Sequence, residues 1–141
     1  MENTETFVLF ADGSSINNPG PAGAGAVLLD SGGELVFRLC MPLGKGTNNF
    51  AEYKALIYGA GEALGRGVRD IEIRMDSMLV VNQMNGNWKV KNQQLQALVA
   101  LAKDVLAGFD GWRLSYIPRE QNALADAAAK EASALSMAGK A

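Results

Sequence analysis

Four acidic residues stand at the ends of the elements that the sequence predicts. Asp12 follows a short apolar run and Asp76 follows an alternating run of polar and apolar residues, and both runs are typical of β-strands. Glu52 and Asp126 fall in the first turns of two predicted helices. A carboxylate at the edge of a hydrophobic core is costly unless another group compensates its charge. Carboxylate oxygens suit hard divalent cations, so we predict that the partner of these residues is Mg²⁺ or Mn²⁺.

The absence of histidine narrows the chemistry that these carboxylates could support. The chain has no histidine and one cysteine, Cys40, which excludes histidine-based triads, histidine general bases and an internal disulfide. Two divalent ions held about 4 Å apart by shared carboxylates are suited to displacement reactions at phosphorus. The acidic residues therefore predict a metal-dependent reaction at a phosphate group.

Composition and charge indicate one globular domain. The chain has 141 residues, of which 48% are hydrophobic and 20% are charged. We predict a single domain over residues 1–141, with its core at about 7–134 and short flexible ends. A net charge of −2 gives no sign of a nucleic-acid partner. No apolar run is long enough to span a membrane, residues 1–6 lack the pattern of a secretion signal, and the expected location is the cytoplasm.

The predicted elements bring the acidic residues to one edge of a sheet. Strands are predicted at residues 7–11, 23–30, 34–43, 70–76 and 112–117, and helices at 50–66, 77–84, 92–107 and 122–135. This order predicts an α/β fold with one mixed five-stranded sheet and helices on both faces. The first strand should be buried on both faces. The strands that end in Asp12 and Asp76 should be parallel neighbours, which places both carboxylates where α/β sheets bind ligands.

Glu52 and Asp126 are expected to point toward the same edge. Glu52 shares a helix face with small apolar residues that should pack on the sheet, namely Ala55, Leu56, Gly59 and Ala63. Each acid also has a simpler explanation on its own. Asn49-x-x-Glu52 resembles a capping box, Asp76-Ser77 could cap the short helix, Asp12-Gly13 is a common turn, and a single Asp126 is more often solvated. The joint placement of all four is what favours a site.

Four segments resemble the motifs of type 1 ribonuclease H, in the same order and over about residues 7–134. They are Asp12-Gly13-Ser14 with Asn18-Pro19-Gly20-Pro21-Ala22-Gly23, Thr47-Asn48-Asn49-x-x-Glu52, Asp76-Ser77-x-x-Val80, and Pro118-Arg119-Glu120-x-Asn122-x-x-x-Asp126. The resemblance implies the RNase H-like fold and an endonuclease that cleaves the RNA strand of RNA–DNA hybrids with two Mg²⁺ ions. The products would carry 5′-phosphate and 3′-hydroxyl ends.

The resemblance also implies roles for individual residues. The four carboxylates fall on the catalytic, metal-binding positions: Asp12 would bridge both ions, Glu52 and Asp76 would hold the ion near the leaving oxygen, and Asp126 the ion near the attacking water. Polar groups at Asn18, Asn48 and Asn49 resemble minor-groove contacts, which recognise the 2′-hydroxyls of RNA without reading sequence. Helix capping by Asn48 and Asn49, and a simple turn at Asn18, are the alternatives.

Departures from the family pattern concern the substrate contacts. Well-studied bacterial members have a basic insertion where this chain has only residues 87–91. They also have a histidine in the loop before the last Asp, which this chain lacks. The short loop at 117–121 resembles that of a compact, archaeal-like form. Trp88, Lys89 and Lys91 would contact the DNA backbone, unless Trp88 is a core residue and the lysines are solvated. Met78 replaces a glutamine that touches substrate in some members. Arg119 and Asn122 are further candidate substrate contacts.

Three other functions remain open at this level. A transposase or resolvase core of the same fold is one, although the Pro-Gly-Pro and Thr-Asn-Asn segments argue against it. A hybrid-binding module without activity and a purely structural domain are the others, and the four carboxylates make both less favourable. The preferred interpretation is a nuclease whose partner is an RNA–DNA hybrid duplex, with no membrane association and no obligatory protein partner.

Overall fold

The computed structural model describes residues 5–139. Within them the strands are β1 Thr6–Ser15, β2 Gly20–Leu29, β3 Leu35–Gly46, β4 Asp70–Met75 and β5 Gly111–Tyr116. The helices are α1 Asn48–Gly65, α2 Met78–Met84, α3 Gln93–Leu106 and α4 Ala123–Gly139, and a single 3₁₀ turn covers Arg119–Gln121. The predicted flexible ends fall in part on residues 1–4 and 140–141, which lie outside the described residues.

The strand order is β3-β2-β1-β4-β5. β1, β2 and β3 pair antiparallel, whereas β1 pairs with β4, and β4 with β5, in parallel. Helix α1 packs on the β1–β2 part of one face with α3 against it, and α4 covers β2 and β3 on the other. The predicted α/β fold, with a mixed five-stranded sheet and helices on both faces, is confirmed.

The first strand differs from the prediction in its length and in its burial. β1 does not end at Asp12, because its antiparallel pairing with β2 continues through Ser15↔Ala22, whereas its parallel pairing with β4 stops at Phe10↔Arg74. Leu9 is fully buried but Phe10, on the opposite face, is partly exposed, because α4 packs mainly on β2 and β3. The prediction of a strand buried on both faces was therefore wrong.

Small residues let α4 lie directly on β2. A Cβ atom built on Gly25 would lie 2.3 Å from the backbone nitrogen of Ala129, and one on Gly23 would lie 2.3 Å from that of Ser133. The helix meets these glycines with fully buried alanines, namely Ala125, Ala128, Ala129 and Ala132. No side chain larger than hydrogen fits at such distances, so the glycines of β2 set how closely α4 approaches the sheet.

The close contact at Gly25 can be tested by adding one methyl group. We expect Gly25→Ala to lower the free energy of unfolding by about 2 kcal/mol or more, because the new methyl group collides with helix backbone that cannot move alone. Gly61→Ala is the matched control, since a Cβ at that position in α1 meets nothing within 4 Å. It should instead raise stability by roughly 0.5–1 kcal/mol through helix propensity. Urea unfolding measures both, and equal effects of the two substitutions would contradict the packing argument.

Candidate active site

An open cleft of about 310 Å³ lies at the edge of the sheet where the parallel pairing of β1 with β4 ends. Asp12 enters it from β1, Glu52 from α1, Asp76 from the residue after β4, and Asp126 from the first turn of α4. The structure therefore brings the four acidic residues to one place. The other residues around the cleft are Gly13, Ser14, Ser15, Asn48, Arg119 and Lys130.

Gly13 joins Asp12 to Glu52. Its backbone N–H donates to Oδ1 of Asp12 and to Oε1 of Glu52, each at 2.9 Å. A Cβ atom on Gly13 would lie 2.3 Å from the backbone nitrogen of Glu52, so the start of α1 rests directly on β1. The N-cap of α1 is Thr47, whose side chain accepts from the backbone N–H of Phe50 at 3.1 Å. The capping-box explanation of Glu52 was therefore wrong, and its carboxylate belongs to the cleft.

The side chain of Asp76 likewise does not cap a helix. Ser77 caps α2 by accepting from the backbone N–H of Val80 at 3.2 Å. Oδ1 of Asp76 accepts from the side-chain amide of Asn122 at 2.9 Å. Asp126 forms an ion pair with Lys130 at 3.2 Å, one helical turn along α4. Asp76 and Asp126 therefore each accept from a donor on another side chain.

Burial and mutual repulsion raise the pKa of two of these acids. Asp12 is only 4% exposed, and its pKa rises from 3.8 to about 7, first because of burial and then because of the charge on Asp76. The pKa of Glu52 lies well above its ordinary 4.5, again through burial first and then through Asp12 and Asp76. The cleft therefore contains more negative charge than its surroundings compensate, and a bound cation would relieve it.

Two of the residues predicted to contact substrate line the cleft, and a third is hydrogen-bonded to one of these two. Asn48 and Arg119 are cleft residues. The side-chain oxygen of Asn18 accepts from the backbone N–H of Asn48 at 2.9 Å, so the loop between β1 and β2 is tied to the start of α1. Asn49 is exposed but does not line the cleft. Because Thr47 is the N-cap, the capping explanation of Asn48 and Asn49 was wrong.

The remaining candidates divide into exposed and buried residues. Trp88 is 47% exposed, and Lys89 and Lys91 beside it are exposed in the connection between α2 and α3, outside the cleft lining. The alternative that Trp88 is a core residue was wrong. Asn122 is only 1% exposed, and its amide nitrogen donates to Ala11 and to Asp76. The structure contradicts a direct substrate contact by Asn122, because the side chain has no surface to offer.

Comparison with known proteins shows which family the chain belongs to. A family model described as reverse transcriptase-like matches residues 10–132. The solved N-terminal RNase H domain of Rv2228c from Mycobacterium tuberculosis is 37% identical, with a TM-score of 0.93 over 97% of this chain and 99% of that one. The chain belongs to the ribonuclease H family. Ribonuclease HI of Halobacterium salinarum is 42% identical over 123 residues, or 87% of this chain. LC11-RNase H1, solved with an RNA/DNA hybrid, is 34% identical, with a TM-score of 0.87 over 93% of this chain and 99% of that one.

The chain corresponds to part of the length of some relatives. It spans 62% of the length of the halobacterial ribonuclease HI. It spans 35% of the length of the whole mycobacterial Rv2228c, which is described as a bifunctional protein. The solved RNase H1 of the halophilic archaeon Halobacterium salinarum is 41% identical, with a TM-score of 0.88 over 90% of this chain and 96% of that one, which agrees with the compact form. The connection between β5 and α4 contains a single 3₁₀ turn, Arg119–Gln121. Among residues 5–139, no helix is long and apolar enough to cross a membrane.

Four residues of the cleft, Gly13, Ser14, Ser15 and Lys130, were not predicted from the sequence as site residues. Ser14 and Ser15 line it because the pairing of β1 with β2 continues past Asp12, which no local pattern of the sequence indicated. Lys130 lines it because it lies one helical turn after Asp126. The i,i+4 spacing of opposite charges was visible in the sequence and could have identified this lysine.

The donor set of the cleft fits hard divalent cations. All four acids supply oxygen, and two of them are held in a buried site whose charge is uncompensated. Within residues 5–139, no three acidic or cysteine side chains form a ready-made cage around one ion. Mg²⁺ does not need such a cage, since it is commonly bound by one or two carboxylates together with water and substrate phosphates. The residues therefore fit Mg²⁺ or Mn²⁺ ligated partly by substrate.

The raised pKa of Asp12 predicts an unusual pH dependence of stability. The folded chain binds this proton more tightly than the unfolded chain, since the pKa is about 7 instead of 3.8. Its stabilising contribution is therefore complete below about pH 4 and is lost as pH rises through about 7. In a chelator, we expect the free energy of unfolding of the wild type to fall by up to about 4 kcal/mol relative to Asp12→Asn over this interval.

Urea unfolding of the two proteins, from pH 4.5 to about pH 8.5, measures this difference. At the alkaline end, millimolar Mg²⁺ or Mn²⁺ should restore the stability of the wild type and have less effect on Asp12→Asn, because the ion relieves repulsion that the variant lacks. Parallel stability curves for the two proteins, with and without the metal, would contradict the charge argument.

Proposed function

We propose that this chain is an endoribonuclease that hydrolyses the RNA strand of RNA–DNA hybrids with the help of two divalent ions. The observation that carries the proposal is the convergence of Asp12, Glu52, Asp76 and Asp126 in one open cleft, where burial raises the pKa of the first two. Membership of the ribonuclease H family supports it, as does the RNA/DNA hybrid bound by LC11-RNase H1, a relative 34% identical to this chain.

The four carboxylates are the proposed ligands of the ions, with Mg²⁺ as the expected metal and Mn²⁺ as a substitute. When bound, the ions supply Lewis-acid stabilisation of the negative charge that develops on the attacking and leaving oxygens at phosphorus. The chain itself holds the carboxylate oxygens in place. The backbone N–H of Gly13 orients both Asp12 and Glu52. Groups fixed before the reaction begins need no reorganisation as charge develops.

Polar and basic residues around the carboxylates are the proposed contacts of the hybrid. Arg119 and Lys130 supply positive charge at the cleft itself, where the scissile phosphate would lie. Asn48, supported by Asn18 and adjacent to Asn49, would face the minor groove, whose 2′-hydroxyls distinguish RNA from DNA. Trp88, Lys89 and Lys91 form a separate exposed segment, which we propose contacts the DNA backbone. The relatives from Halobacterium salinarum and Mycobacterium tuberculosis support the cytoplasm as the proposed location.

Asp76→Asn tests the proposed activity. The wild type should cleave the RNA strand of a labelled hybrid with Mg²⁺ and leave RNA–RNA and DNA–DNA duplexes intact, and products should carry 5′-phosphates. The variant should lose several orders of magnitude in rate, because an amide cannot supply the charge that holds a metal. It should keep its fold, since the new amide oxygen can still accept from Asn122.

Asp104→Asn, at an exposed position of α3, is the matched control and should cleave like the wild type. Wild-type turnover by Asp76→Asn would overturn the four-carboxylate site. Hybrid binding without cleavage by the wild type, under saturating metal, would instead indicate a binding module.

Salt dependence tests the exposed segment at 88–91. The slope of log affinity against log salt counts neutralised phosphates at roughly 0.9 per contact. We expect only a few contacts, and replacing both Lys89 and Lys91 by alanine should flatten the slope by up to about two phosphates. Lys103→Ala, at an exposed position on α3, should leave the slope unchanged. A wild-type slope of about −6 or steeper would reveal a basic surface elsewhere.

A further inference from the structure

The side chain of Asn122 is enclosed between β1, Asp76 and the start of α4. Its Nδ2 donates to the carbonyl oxygen of Ala11 at 3.0 Å and to Oδ1 of Asp76 at 2.9 Å. Its own backbone carbonyl accepts from the N–H of Asp126 at 3.0 Å. A single residue, 1% exposed, therefore connects the strand just before Asp12, the carboxylate of Asp76 and the helical turn that carries Asp126.

The chemistry of its neighbours determines how this amide is oriented. A backbone carbonyl and a carboxylate can only accept, so the NH₂ group must face them and both of its protons are used. The side-chain oxygen of Asn122 is then buried without a hydrogen-bond partner among the described residues. Such an orphaned acceptor lowers stability. Packing alone therefore does not explain an asparagine at position 122, because its buried oxygen lowers stability. The two hydrogen bonds that its NH₂ group donates are the feature that explains it.

A neutral donor suits a carboxylate that must remain available to a cation. An arginine or lysine would compensate the charge of Asp76, as Arg74 and Arg113 do for Glu72, whose pKa they lower. A second acid at position 122 would repel it. An amide instead fixes one oxygen of the carboxylate and leaves its negative charge uncompensated.

We propose that Asn122 is a positioning residue that fixes the Asp76 carboxylate relative to Asp12 and Asp126 and so sets the metal affinity of the cleft, without touching the hybrid. This inference rests on the proposed function for its kinetic consequence. Residues that orient metal ligands through a hydrogen bond commonly contribute 10- to 100-fold to metal affinity or activity. The same range is expected here.

Asn122→Ala and Asn85→Ala form a matched pair for the test. Asn85 also donates its amide to a backbone carbonyl, that of Leu114 at 3.0 Å, but it has no carboxylate partner in the cleft. Two quantities would be measured: the Mg²⁺ or Mn²⁺ concentration that half-saturates thermal stabilisation without substrate, and kcat and KM on a hybrid at saturating metal. Asn122→Ala should raise the half-saturating concentration roughly tenfold and lower kcat about 10- to 100-fold, with KM within about twofold. Asn85→Ala should change neither quantity.

Each other outcome has a defined meaning. A raised KM with unchanged kcat would overturn the proposal in favour of a substrate contact, and wild-type values for both quantities would overturn it in favour of simple packing. If Asn122→Ala does not fold, Asn122→Ser, which retains one donor, should change the half-saturating metal concentration and kcat in the same directions by smaller factors. If neither variant folds, Asn122 is a residue needed for folding, and the proposal is overturned. If the wild type itself does not cleave hybrids, the proposed function fails, while the substrate-free metal titration still decides the role of Asn122.

Discussion

The contact between the start of α1 and the backbone of β1 at Gly13 determines the rest of the cleft. A side chain at this position would lie 2.3 Å from the backbone of α1, so the helix and the strand touch along their main chains. One N–H is shared by Asp12 and Glu52 because of this contact, and the two carboxylates are held close together on rigid elements. Their mutual repulsion, burial and raised pKa values all follow from a backbone contact that only glycine permits.

The chain treats the acids of the cleft differently from its other acids. Glu72 lies between Arg74 and Arg113, which hold its pKa below the ordinary value. Among the described residues of the cleft, Asp126 has a basic partner in Lys130, whereas Asp12 and Glu52 accept from a neutral N–H and Asp76 accepts from a neutral amide. The last three side chains are thereby oriented while their charge stays uncompensated. Such an arrangement lowers the stability of the metal-free fold and favours any divalent ion that enters, which is how a stability cost becomes binding energy.

Most of the fold followed from local patterns. The periods of two and 3.6 residues located the strands and helices, and α3 buries one stripe of apolar residues at helical spacing, namely Leu95, Leu98, Val99, Ala102 and Leu106. The parallel pairing of β1 with β4, which places Asp12 and Asp76 at one edge, followed from the order of the elements. The extension of β1 to Ser15 did not, because it depends on β2 continuing the antiparallel register after β4 has stopped pairing.

The sequence by itself determined which residues could form a site: four acids at element ends, no histidine, and motifs that resemble one nuclease family. The tertiary structure decided which of them are available and which are enclosed. Thr47 and Ser77 cap their helices, so Glu52 and Asp76 are available to the cleft, whereas Asn122 is buried and donates to the carbonyl oxygen of Ala11, 111 positions away in the chain. Local spacing specifies hydrogen bonds within a turn or two; burial, charge compensation and the partner of a buried amide depend on chain segments that meet only after folding.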